Sequence, residues 1–254
     1  MNSSVNQFTS LPMIKNPIML ALDVDSDVLA FQILDQVADY IGAVKIGPRL
    51  NLKYGSEFVK KIKAYAPVFI DNKYFDITST VLSAIQTSFD SGATFVTVHA
   101  LNGFETLVEI AQLEKKLNQI RPFKILGVTV LTSWSEKNLP ENFKNLNIQN
   151  HVEILSDTIL KSGLSGIVCS GHELSLFNKP ETKNVFKVVP GIRLEQDLTN
   201  DKNSEISNYQ DQKRIMTPRQ AIQHGASALV IGRSILNSKS PLDTVQQILE
   251  SLKI

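Results

Sequence analysis

The 254-residue chain is poor in cysteine: Cys169 is the only one. A single thiol cannot close an intrachain disulfide or build a multi-cysteine zinc site, so a reducing cytoplasm is the simplest compartment for it. Histidine is scarce as well. His99, His151, His172 and His224 form no HExxH or other close pair, which argues against a histidine metal site. Long apolar runs are missing, and none approaches the ~18 residues that a membrane span requires. The first 16 residues, MNSSVNQFTSLPMIKN, are polar and lack the apolar core of a signal peptide. Neither charge sign dominates, since 26 Lys+Arg face 25 Asp+Glu for a net +1. That balance argues against a dedicated nucleic-acid binder. It leaves room for a small anionic ligand, for which a few local charges suffice.

What is present is an alternation. Hydrophobic residues make up 43 % of the chain, enough for a sizeable core. Short β-branched runs at 17–24, 43–47, 67–73, 94–100, 123–131, 166–170, 185–192 and 228–234 predict eight strands. Helical patterns fall between most of them, at 27–40, 55–65, 77–91, 103–118, 151–163, 217–224 and 241–252. Thr217-Pro218 predicts a helix start, and Gly92 and Gly225 predict helix ends. Strands that alternate with helices are parallel and joined by crossovers. Eight such units in this length predict a closed (β/α)8 TIM barrel as a single domain over 17–254, behind a polar tail at 1–16. A doubly wound open sheet is the alternative, but it usually holds about six strands. Two long polar stretches, 132–150 and 193–213, predict long loops that are either functional or simple surface decoration.

Catalytic groups of a parallel barrel come from the C-terminal strand ends. Here those ends carry Asp23, Lys45, Asp71 with Lys73, His99, Thr132, Ser170, Arg193 and Arg233. Strand parity sharpens the point. Leu20, Leu22 and Val24 share one face of the first strand and Asp23 takes the other. Lys45 opposes Val44 and Ile46, while Asp71 and Lys73 oppose Val68 and Ile70. The apolar faces suit a helix layer, so the charges project into the barrel mouth. Burying them there requires that they pair. The turns Gly191-Ile192-Arg193 and Gly232-Arg233-Ser234 follow the seventh and eighth strands, the usual phosphate position of such barrels. Glycine admits close backbone N–H groups there, and arginine adds a bidentate cation.

The segment Asp71-Asn72-Lys73-Tyr74-Phe75-Asp76-Ile77, followed by Thr80, resembles the D-x-K-x-x-D-I-x-x-T signature of the orotidine 5′-phosphate decarboxylases. Supporting motifs occur in order: ALDVD at 21–25, VKIG at 44–47, VTVLTS at 128–133, VCS at 168–170, PGIR at 190–193, DQKR at 211–214 and VIGRSI at 230–235. The set spans nearly the whole chain and is similar to the monofunctional, bacterial-type members. The resemblance implies decarboxylation of orotidine 5′-monophosphate to UMP and CO2, the last step of de novo pyrimidine synthesis, by a homodimer with no metal and no organic cofactor. It implies that Lys73 protonates C6 of the pyrimidine and that Asp71 lies beside the departing carboxylate. Lys45 completes the charged network, and Asp23 contacts the ribose. Asp76 and Thr80, with Ile77 beside them, reach into the partner's site. Thr132 meets the pyrimidine edge, while Arg193, Gln212, Gly232 and Arg233 hold the phosphate. The stretch between PGIR and DQKR is longer and more polar than in many bacterial members, and the N-terminal tail begins earlier.

Other side chains have simpler expected roles. His99 is expected to pack or hydrogen-bond at the mouth rather than to transfer a proton. Cys169, with no identifiable histidine partner, is expected to be a core thiol. Trp134 either covers the pyrimidine or packs within its loop. Residues 193–213 are expected to close on the phosphate as a lid. Two alternatives stay open: a Mg-dependent sugar-phosphate lyase with the same D-x-K pair, and a catalytically silent nucleotide-binding or scaffolding protein.

Overall fold

A computed structural model describes residues 13–195, 197 and 215–253. Eight parallel strands close into a barrel in sequence order. They are β1 (Ile18–Ala21), β2 (Ala43–Ile46), β3 (Val68–Tyr74), β4 (Phe95–His99), β5 (Lys124–Val128), β6 (Gly166–Val168), β7 (Phe186–Val189) and β8 (Ala228–Ile231). β1 pairs with β8 through Met19 opposite Val230, which completes the ring. The predicted (β/α)8 barrel is the observed fold. Most strands are shorter than their apolar runs, because the runs continue into the loops that leave the barrel.

The helices between them are α1 (Asp27–Val37), α2 (Pro48–Lys63), α3 (Thr78–Ser91), α4 (Phe104–Asn118), α5 (Ile148–Lys161), α6 (Pro218–Gln223), α7 (Arg233–Leu236) and α8 (Pro241–Leu252). Two starts differ from expectation. The helix predicted from 55 begins at Pro48, and Gly55 interrupts it at φ 66°. That left-handed conformation suits glycine and hides the first half of the helix from a periodicity search. The helix predicted from 151 begins at Ile148, where the Asn147 side chain accepts the Asn150 N–H as an N-cap. At α6 the expected signal holds: the Thr217 side chain accepts the Gln220 N–H and Pro218 opens the helix. Gly92, in the left-handed region, ends α3 as predicted.

Strand alternation sorts the core into two parts. Ile18 and Leu20, Val44 and Ile46, and Val68 and Ile70 point outward, where Leu34, Val59 and Ile85 from the helices meet them. Each such fully buried side chain contributes about 1.5–3 kcal/mol of transfer free energy. The inner faces form a separate cluster. Alanines 21, 43 and 228 on β1, β2 and β8 make room for Phe69, Phe95 and Phe186 from β3, β4 and β7. Phe95 stacks on Phe186 with centroids 5.7 Å apart and meets Phe69 edge-on at 6.2 Å. Ile14 joins this cluster. The barrel is therefore packed below its mouth, and the polar residues sit on an aromatic floor.

Candidate active site

The predicted charges meet as parity requires. Lys45 Nζ lies 3.2 Å from Asp23 and 3.7 Å from Asp71, and Lys73 Nζ lies 2.9 Å from Asp71. Signs therefore alternate along Asp23, Lys45, Asp71 and Lys73 across three adjacent strand ends. Exposure is graded along the relay. The Lys45 and Asp71 side chains are 10 % and 16 % exposed, whereas those of Lys73 and Asp23 are 38 % and 54 % exposed. The inner pair depends on mutual neutralisation. The outer two face incoming solute.

Asp71 illustrates the balance. Burial alone pushes its carboxyl up, but the charges of Lys73 and Lys45, with hydrogen bonds from Lys73 and Thr97, hold it below its ordinary value. It is an anion at neutral pH. His99 moves downward too, first because it is buried and then because Lys73 repels its protonated form. Its Nδ1 accepts the Leu101 N–H at 3.2 Å, and its ring lies 6.1 Å from that of Phe75. His99 is thus a neutral hydrogen-bonding residue at the rim.

The third strand departs from regular geometry at the reactive residues. Ile70 pairs with Val96 and Tyr74 with Val98, so β3 advances four residues while β4 advances two. This is a bulge. Lys73 has φ 50°, the only non-glycine residue with positive φ among the described residues. Such a backbone costs about 1–3 kcal/mol and persists only where its surroundings enforce it. Two side chains brace it. Thr97 on β4 accepts the Lys73 backbone N–H at 2.8 Å and donates to Asp71 at 3.0 Å. Asn102 donates to the carbonyls of Tyr74 and His99 at 2.8 and 2.9 Å, and accepts the Asp76 N–H at 3.2 Å. Neither residue was singled out from the sequence. The available signal was a hydroxyl at an inward position between Phe95 and His99, visible only once β3 and β4 are placed side by side.

Asp76, Ile77 and Thr80 do not join the charge relay of their own chain. The Asp76 side chain accepts the adjacent Ile77 N–H at 2.7 Å, and it is exposed with Thr80 near the start of α3. Ile77 is 71 % exposed and Phe75 61 %, with Leu101 and Phe104 also open to solvent.

On the opposite rim, the exits of β7 and β8 converge. Gly191 at φ 79° turns the chain, and the Arg193 N–H donates to Met216 O at 3.1 Å while the Met216 N–H returns to Gly191 O at 3.2 Å. Asp197 accepts the Ser234 hydroxyl at 2.5 Å and the Leu194 N–H at 3.3 Å, which ties the loop after β7 to the turn after β8. Arg193, Gly232 and Arg233 are all half-buried there. A Cβ on Gly232 would approach the Ala21 side chain at 3.2 Å, so this turn lies against the exit of β1, next to Asp23. Gln212 and most of the expected lid at 193–213, namely 196 and 198–213, lie outside the described residues. Thr132 sits half-buried in the turn after β5. Trp134 packs edge-on against Phe143 at 5.3 Å and belongs to the body of its loop. Cys169 is buried, as expected of a core thiol. Among the described residues no group of three or more His, Cys, Asp or Glu side chains is placed to hold a metal ion.

The fold and the site define a (β/α)8-barrel enzyme with an alternating Asp–Lys relay at its mouth. The chain belongs to the orotidine 5′-phosphate decarboxylase / HUMPS family, whose sequence profile matches residues 16–248. It is 33 % identical over 238 residues to an orotidine 5′-phosphate decarboxylase of Glaesserella parasuis, covering 93 % of this chain and 99 % of that protein. The corresponding protein of Aquifex aeolicus is 35 % identical over 244 residues, with 92 % and 97 % covered. The crystal structure of orotidine 5′-phosphate decarboxylase from Lactobacillus acidophilus matches with a TM-score of 0.78 at 27 % identity, over 94 % of this chain and 99 % of that one.

Proposed function

We propose that this protein decarboxylates orotidine 5′-monophosphate to UMP and CO2, with the relay Asp23–Lys45–Asp71–Lys73 as its reaction centre. The carrying observation is the contact of 2.9 Å between Lys73 Nζ and an Asp71 held ionised by two lysines. When the C6–carboxylate bond breaks, its electron pair stays on C6 and CO2 leaves. An ammonium fixed beside that carbon stabilises the developing negative charge and then transfers a proton to it. Asp71 holds that ammonium in place through the 2.9 Å contact. Because the dipoles and charges are already in place, little reorganisation is needed during bond cleavage. Lys45 allows Asp71 to remain an anion in a buried position, and Asp23 contacts the ribose at the exposed end of the relay. Thr132 reads the pyrimidine edge.

The phosphate is held by Arg193, Gly232, Arg233 and Gln212 on the β7–β8 rim. Energy from that grip orders the mouth around the base rather than acting on C6 directly. Two copies associate through the face carrying Phe75, Ile77, Leu101 and Phe104. Asp76, Ile77 and Thr80 complete the partner's site, a reading supported by their exposure and by Asp76 standing apart from its own relay. No helix among the described residues is long and apolar enough to cross a membrane. With one buried thiol, the chain is suited to the cytoplasm.

The direct test follows orotidine 5′-monophosphate absorbance with purified protein, with and without EDTA. Loss of absorbance at equal rates in both arms supports the reading. Turnover only with added Mg²⁺, or none on this nucleotide, overturns it.

A further inference from the structure

We propose that Thr97 is the positioning residue that holds Lys73 in its reactive geometry. The inference rests on the decarboxylase reading above and extends it to a residue outside the D-x-K signature.

A hydroxyl has one proton to give. Thr97 Oγ1 lies 3.0 Å from Asp71 Oδ1, a carboxylate oxygen that can only accept, so its proton is committed there. Its lone pair then receives the Lys73 N–H at 2.8 Å. Lys73 Nζ donates to the same Asp71 Oδ1 at 2.9 Å. The three contacts close a ring: Lys73 backbone to Thr97, Thr97 to Asp71, and Asp71 to the Lys73 ammonium. Every donor in the ring has a fixed direction.

This ring sits at the bulge where Lys73 adopts φ 50°. Regular β3–β4 pairing is interrupted between Ile70 and Tyr74, so no ladder bond positions the Lys73 N–H. Thr97 supplies the missing acceptor. The residue is fully buried, so solvent has no route to replace the hydroxyl. Valine at this position keeps the branched shape but leaves the Lys73 N–H without an acceptor and Asp71 without one of its donors. Lys73 is then free to relax from its left-handed backbone, which turns its ammonium away from the reacting carbon. Thr97 is buried beneath the relay and acts through the two groups it bonds, Lys73 and Asp71.

The experiment compares wild type, Thr97→Val and Thr97→Ser with orotidine 5′-monophosphate, counting active sites by calorimetric titration with UMP. The expected result for Thr97→Val is a kcat per titrated site lowered about 10- to 100-fold, the scale of a small misplacement. KM and UMP affinity stay close to wild type. The acid limb of the kcat/KM profile moves to higher pH, because Asp71 has lost a hydrogen bond that favours its anion. Thr97→Ser, which keeps the hydroxyl, recovers most of kcat and returns the limb. Unchanged kcat and an unmoved limb in Thr97→Val overturn the proposal, as does a serine variant no better than valine. Thr97→Ala carries the same expectation if the valine chain does not fold. Failure of both to fold makes Thr97 a folding determinant and overturns the positioning role. A wild-type protein inactive on the nucleotide instead overturns the decarboxylase reading on which the inference rests.

Discussion

Asp71 and Lys73 leave the same face of β3 two residues apart, and their charged ends meet at 2.9 Å. Truncating the lysine removes the proposed proton donor but leaves Asp71 paired with Lys45 and bonded to Thr97. Lys73→Ala is therefore expected to fold and to bind UMP. Its turnover is expected to fall by more than about 10³-fold, within reach of a group that acts both electrostatically and as an acid. Stopped assays at saturating nucleotide, beside UMP calorimetry, check this. Near wild-type turnover would remove Lys73 from the reaction.

Protonation of Asp71 gives the cluster a pH signature. Its folded value lies below the unfolded one, so its contribution to stability is fully present above about pH 3.9, the ordinary aspartate value. That contribution is lost as pH falls through the lower folded value. Asp71→Asn leaves Lys45 and Lys73 close together without the anion between them. At pH 7 it is expected to cost about 3 kcal/mol, the scale for breaking a buried pair. Urea unfolding of both proteins at pH 7, 5 and 3 should show the gap constant between the first two and narrowed at the third.

The β7–β8 rim can be tested with ligands that differ only in phosphate. Arg233→Ala is expected to weaken UMP about 10- to 100-fold, the scale of one hydrogen bond to a charged group. Uridine should bind both proteins alike. Equal losses for the two ligands would place Arg233 away from the phosphate.

The apolar face predicts a complementation effect. Lys73→Ala and Asp76→Ala chains are each expected to be inactive alone. Mixed and allowed to exchange, they should form hybrid dimers in which one site carries both wild-type residues, and activity should reappear. Ile77→Asp, which places a charge on the same face, is expected to run as a monomer in size-exclusion chromatography. A mixture that stays inactive while hybrids are demonstrably formed argues that each chain supplies its own Asp76.

The barrel and most of its charge relay were legible because both follow from the two-residue period of strands. Once Val44 and Ile46, or Val68 and Ile70, are assigned to the helix layer, Lys45, Asp71 and Lys73 have only the interior left. The bulge was not legible. It depends on the β3–β4 register, which involves residues 26 positions apart, and Thr97 and Asn102 acquire their roles only through it. The early start of α2 was masked by Gly55, which breaks the period of a continuous-looking helix. α7 spans only Arg233–Leu236, too short to display any period. Asp76, Ile77 and Thr80 stand out by motif alone, since nothing in their own chain's relay engages them.

Among the described residues, the aromatic floor formed by Phe69, Phe95 and Phe186 closes the barrel below the relay, so the relay is approached from the mouth. Nucleotide, carbon dioxide and the proton that recharges Lys73 share that approach. Traffic through the mouth therefore couples the resetting of the enzyme to departure of its products: a bound nucleotide that blocks the opening also delays return of the lysine to its charged state.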